Sequence, residues 1–132
     1  MADDAVRGNL GLTHQGVSMK ALSDLQLTEQ VQEAIRALRD RIGAEFRVDR
    51  IVLFGSVVRG TSDEESDLDV LIVLQEPADH QIRNRISRLI LDINLEHDTN
   101  LSGLVVDQKT WDGGLLSVLP IHDEVEEQGV QL

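Results

Sequence analysis

Leu53-Phe54-Gly55-Ser56-Val57-Val58-Arg59-Gly60, followed after a short acidic stretch by Ser66-Asp67-Leu68-Asp69-Val70, decides how this chain is read. An apolar run ends in a Gly-Ser turn and an arginine. Two carboxylates one residue apart then open a second apolar run, Val70-Leu71-Ile72-Val73-Leu74. Side chains alternate along a strand, so Asp67 and Asp69 share one face. Two acids so placed repel each other unless a cation lies there. A Gly-Ser turn leading into a helix offers backbone N–H groups and a hydroxyl to a phosphate. A metal–nucleotide complex satisfies both halves.

Simpler readings of the same residues are weaker. The run Asp63-Glu64-Glu65-Ser66-Asp67-Leu68-Asp69 could be a solvated acidic loop, as most charge runs are. Its last two acids run straight into an apolar strand, however, where a carboxylate costs desolvation energy unless paired or metal-bound. A calcium loop would also place acids at alternate positions. Here Leu68 stands where the sharp-turn glycine belongs and Leu74 where the bidentate glutamate belongs, which excludes it.

Outward from this motif, the pattern alternates between helices and strands. Val31, Ile35, Leu38 and Ile42 form one apolar stripe, predicting a helix from Thr28 that stops at Gly43. Arg50 to Phe54 reads as a strand, Val57 to Gly60 as a brief helix or turn, and Asp67 to Leu74 as a central strand. Asp79 is a good N-cap for a long helix with Ile82, Ile86, Leu89, Ile90 and Ile93 buried, and with Arg83, Arg85 and Arg88 in solvent. Leu101 to Val106 is a third strand, Trp111 begins a short helical stretch, and His122 to Gln128 is a last helix closed by Gly129. The expected fold is α/β (α+β): a small mixed sheet with helices packed on it. Residues 1–22, with Gly8, Gly11 and Gly16 and no sustained periodicity, read as a flexible N-terminal arm in which Met19 could serve as an alternative start. Residues 23–132 form the domain.

Composition narrows the function. A chain of 132 residues holds one core. It has no cysteine, which excludes disulfides and thiolate metal sites. No apolar run reaches membrane-spanning length and no export signal is visible, so a cytoplasmic protein is expected. A net charge of −12 argues against extended nucleic-acid binding, but not against one nucleotide whose phosphates arrive neutralised. Arg36, Arg39, Arg41, Arg47 and Arg50 gather around the first helix and its exit, either as a docking face for an acidic partner or as a solvated face. Of the histidines, His97 and His122 read as surface residues. Trp111 is the one candidate for stacking on a base, though core packing is its commoner use.

The segment from Arg50 to Leu74 resembles the signature of the polymerase-beta-like nucleotidyltransferase superfamily, closest to its minimal nucleotidyltransferases. The element order extends the likeness from about Thr28 to Leu132. The resemblance implies the nucleotidyltransferase fold, with Asp67 and Asp69 as catalytic metal ligands for Mg²⁺ or Mn²⁺. It implies Gly55, Ser56, Arg59 and Ser66 as nucleotide-binding residues. It further implies transfer of a nucleoside monophosphate, AMP from ATP or another NTP, to a hydroxyl. The acceptor it suggests is a partner protein such as a HEPN-type toxin, in an antitoxin role by AMPylation. One departure stands out. Ser102 occupies the place where active members carry a third carboxylate, with Asp98 and Asp107 flanking the strand. A catalytically weak partner-binding module is therefore the alternative, and a small-molecule or RNA nucleotidyltransferase a further one.

Overall fold

The computed structural model describes residues 27–59 and 67–132 together with Leu22 and Leu25. The expectations for the N-terminal arm, Gly60, the acidic stretch and Ser66 lie outside the described residues. Of Arg59 only its place as the last residue of a helix is described.

Helix α1, Glu29–Glu45, starts where Thr28 Oγ1 accepts from the Val31 N–H at 3.2 Å. It buries Ala34, Ile35, Leu38 and Ile42, three of them from the predicted stripe, whose fourth member, Val31, is half-buried. It does not stop at Gly43. That glycine faces open space with nothing within 4 Å of an added Cβ, so the helix runs through it. It ends at Phe46, whose side chain is buried and whose N–H reaches Ile42 O at 2.9 Å. Burial of the aromatic ring, not glycine, sets the end.

Three strands follow: β1, Val48–Phe54; β2, Leu68–Leu74; and β3, Leu101–Asp107. Helix α2, Ser56–Arg59, lies between β1 and β2, and α3, His80–His97, between β2 and β3. Asp79 caps α3 by accepting from the Ile82 N–H at 2.9 Å, as anticipated. Strand β1 pairs antiparallel with β2, whereas β2 pairs parallel with β3, a connection that needs the crossover supplied by α3. The sheet is therefore mixed, with β2 central.

The C-terminal region departs most from expectation. Helix α4, Gln108–Asp112, begins before Trp111, because Asp107 accepts from the Thr110 N–H at 2.9 Å and its hydroxyl at 2.7 Å. A 3₁₀ turn, Leu115–Val118, leads to α5, Pro120–Gln128, which starts at its proline and not at His122. A short strand β4, Val130–Gln131, adds to the expected elements; it pairs with β1 and gives the order β3-β2-β1-β4. Gly129 makes that pairing possible, since an added Cβ there would strike Val52 and the Val125 carbonyl.

Alternation along the strands gives the sheet two apolar faces. One, with Leu53, Val70, Ile72, Leu74 and Val105, is covered by α1 and α3. The other, with Val52, Phe54, Leu71, Val73 and Val106, is covered by Trp111 and Val125. Each such side chain contributes about 1.5–3 kcal/mol when fully buried. Trp111 is 0% exposed, so it is core and not a platform for a base. His122 is not a surface residue either: it is half-buried, its ring 4.6 Å from that of Trp111.

The arginines do not form one docking face. Arg41 pairs with Glu96 at 2.9 Å, while Arg50 sits on the opposite side of the sheet with Asp49, Asp112 and Glu126. Burial opposes the Arg50 charge, but the Asp112 hydrogen bond and the three surrounding carboxylates outweigh it and hold its pKa above the ordinary value. Arg83 is exposed yet tied down, donating to Ala78 O at 2.8 Å and Val105 O at 2.7 Å. Arg85 pairs with Glu45 and lies 4.9 Å over the Phe46 ring.

Candidate active site

The sheet register brings the motif residues to one end of the molecule. Asp69 is the cross-strand partner of Phe54 on one side and of Ser102 on the other. Phe54 is the last residue of β1, so Gly55 and Ser56 turn off the sheet immediately beside Asp69. Within β2, Asp69 is the one residue not buried, flanked by buried Leu68 and Val70. It lies on the same face as Leu71 and Val73, away from α1 and α3.

Gly55 is the tightest point. Its φ is +85°, the left-handed region where a side chain is strained. An added Cβ would also lie 2.5 Å from Asp69 Oδ2. The missing side chain thus leaves room for a carboxylate against the backbone of the turn. Ser56 follows as the first residue of α2, half-buried, and the Val58 N–H closes the turn on Gly55 O at 3.2 Å.

Asp67 precedes β2 and is exposed. Its Oδ1 accepts from Asn100 Nδ2, and the Leu68 N–H donates to Asn100 O at 2.9 Å. Asn100 therefore holds both the side chain of Asp67 and the backbone behind it. Asn94 in turn fixes the start of β3, donating from Nδ2 to Leu101 O at 3.0 Å and accepting the Leu101 N–H at 2.8 Å. Neither asparagine stands out in the sequence; the one available signal is a polar stretch, Asp98-Thr99-Asn100, between a helix and a strand.

Ser102 is exposed and pairs with Asp69, so its side chain stands beside that carboxylate on the same face. The flanking acids do not join them. Asp107 sits at the far end of β3, paired with Leu74, and Asp98 ends α3 in a left-handed conformation, φ 54°. Among the described residues no three His, Cys, Asp or Glu side chains converge as a metal-binding group. The donor set still suits Mg²⁺, a hard cation that keeps several waters and takes one or two carboxylates plus phosphate oxygens.

Residues 32–119 match the nucleotidyltransferase domain family. The chain belongs to that family. It is similar to a candidate protein adenylyltransferase of Methanocaldococcus jannaschii, with 35% identity over 86 residues that cover 65% of this chain and 80% of the relative. Among solved structures, a candidate minimal nucleotidyltransferase superposes with TM-score 0.55 and 21% identity over 79% of this chain and 94% of that one. A toxin–antitoxin structure with AMP-PNP superposes with TM-score 0.52 and 23% identity over 79% of this chain and 72% of that one. At these identities the two structures establish the fold of this nucleotidyltransferase. The mixed sheet and its helices are thus the architecture expected from the sequence. No helix among the described residues is long and apolar enough to cross a membrane.

Proposed function

We propose that this nucleotidyltransferase moves AMP from ATP to a hydroxyl of a partner protein. The observation that carries this reading is the Asp69 carboxylate seated against the Gly55 turn, two residues after the exposed Asp67. The Gly55–Ser56 turn and the Ser56 hydroxyl hold the triphosphate end, and Arg59 and Ser66 belong to the same nucleotide site. Asp67 and Asp69 hold Mg²⁺ or Mn²⁺. Such an ion, when bound, neutralises charge on the phosphate oxygens. Asn100 keeps Asp67 oriented. In the transfer the acceptor oxygen bonds to the α-phosphorus, the bond to the bridging oxygen breaks, pyrophosphate leaves, and the hydroxyl proton passes to water. Catalysis of this kind is almost entirely positioning and charge neutralisation.

The protein acceptor is supported by the relative's description as a candidate protein adenylyltransferase and by the fold shared with a toxin–antitoxin pair. A HEPN-type toxin is the acceptor the sequence resemblance favours, which makes this chain the antitoxin of a cytoplasmic pair. A second reading, a partner-binding module with weak chemistry, is favoured by one observation: a serine, not an acid, stands beside Asp69.

The test is the intact mass of a co-expressed partner protein, with the wild-type chain and with Asp69→Asn. A gain of one or more AMP units, lost with the variant, is expected; the variant should lower turnover about a thousandfold. Melting of the nucleotide-free variant should occur at the same or a higher temperature, because a carboxylate is removed from a strand. A complex that forms without added mass would establish the binding module instead.

A further inference from the structure

The open edge of β3 carries a one-residue gap in its protection. Alternate residues of a strand aim their backbone groups at the same side. Asn100 O bonds to β2, so Ser102 and Leu104 face β2 as well, and Leu101, Gly103 and Val105 face the open edge. Asn94 takes both backbone groups of Leu101, and Arg83 takes Val105 O. Ile90 packs on the face of Gly103, but among the described residues no hydrogen bond takes its edge-facing backbone groups between them. Ser102, Gly103 and Leu104 are all exposed, with Leu104 36% exposed on the sheet face that bears Asp69. On that side of the sheet the 3₁₀ turn also leaves Leu115 and Val118 exposed, at 79% and 78%.

An uncovered strand edge accepts another extended segment. A second copy of this chain is disfavoured as the occupant, because each copy brings a net charge of −12. The same charge favours a basic partner. We propose that a short, basic, extended segment of the acceptor protein docks on β3 at Ser102–Leu104. Its backbone pairs with Gly103, and it sets an apolar side chain on Leu104 and a hydroxyl residue beside Ser102. A residue there stands about two strand spacings, roughly 10 Å, from the backbone of Asp69, leaving the gap for the nucleotide phosphates. Asn94 and Arg83 then act as stops that fix where the segment sits. This inference rests on the transfer reading above.

The experiment uses a pool of short lysine-rich peptides with alternating valines around a central serine, threonine or tyrosine. Hydrogen exchange at the Gly103 amide is followed by NMR with and without peptide, and AMP transfer to the pool is followed by mass. Peptide should slow Gly103 exchange about tenfold. Leu104→Lys should raise KM for the pool about tenfold with kcat within about twofold, while Leu91→Lys on the outer side of α3 changes neither. Peptides N-methylated at alternate residues give the same answer without altering the fold: one register should lose binding and the other keep it.

Transfer to peptide with Gly103 exchange unchanged overturns the docking edge and leaves the transfer reading intact. Slowed Gly103 exchange without nucleotide binding overturns the transfer reading and leaves the edge. If no peptide binds, or both N-methylated registers behave alike, the edge proposal fails.

Discussion

The two ends of the β2–β3 pair each carry an acid on the sheet, and they treat it in opposite ways. At the far end Asp107 is committed to structure. Two bonds from Thr110, a backbone bond from Ala78 and the nearby Arg83 charge hold its pKa below the usual carboxylate range against the cost of burial, and it starts α4. At the near end Asp67 stands exposed with one asparagine contact, and Asp69 lies against a glycine whose lack of a side chain leaves it room. The Asp107 carboxylate caps a helix, whereas the Asp69 carboxylate packs against a glycine turn that a side chain would fill.

The sharpest way to break this contrast is Gly55→Ala. The positive φ alone should cost about 1–2 kcal/mol, and the added methyl displaces Asp69, so transfer should fall with stability. A melt combined with a turnover assay checks both. Retained turnover would detach Asp69 from the chemistry.

Much of the near end is legible in the sequence, because an apolar run ending at Gly55 and another beginning after Asp67 predict two strands whose pairing brings Asp69 beside the Gly55 turn. The place of Ser102 beside Asp69 follows from the order of apolar runs. Asn100 is not legible, since Asp67 becomes its neighbour only once β3 folds alongside β2, and Asn94 is not, since its bonds to Leu101 need α3 to fold back on the start of β3. The same is true of Arg50, whose partner Asp112 lies 62 positions away. Gly43 and His122 depart from expectation because burial overrides residue type: the helix continues to the buried Phe46, and His122 packs on the buried Trp111.

The far end sharpens the comparison with smaller effects. Asp107→Ala should cost about 1 kcal/mol through loss of the helix cap, with turnover unchanged, read by denaturant unfolding and the transfer assay. Asp107→Asn keeps a good cap and removes the titration. Because the folded pKa is depressed, the stability this carboxylate supplies is complete above the unfolded value of about 3.9 and is lost as pH falls through the folded one. The variant should therefore lose stability less steeply below about pH 4. Smallest of all, Asn100→Ala should change stability by about 1 kcal/mol or less while weakening nucleotide affinity a few-fold, measured by titration with ATP and Mg²⁺.

Trp111 is the single tryptophan of the chain and has no solvent exposure. It lies in the cluster under α4 and α5, next to Leu71 and Val73 and against the ring of His122. The molecule thus carries an optical probe fixed to one side of its sheet. Its emission will follow the loosening of that side, while amide circular dichroism follows the chain as a whole. Any lag between the two signals during unfolding would reveal whether the C-terminal lid separates before the helical layer on the opposite face gives way.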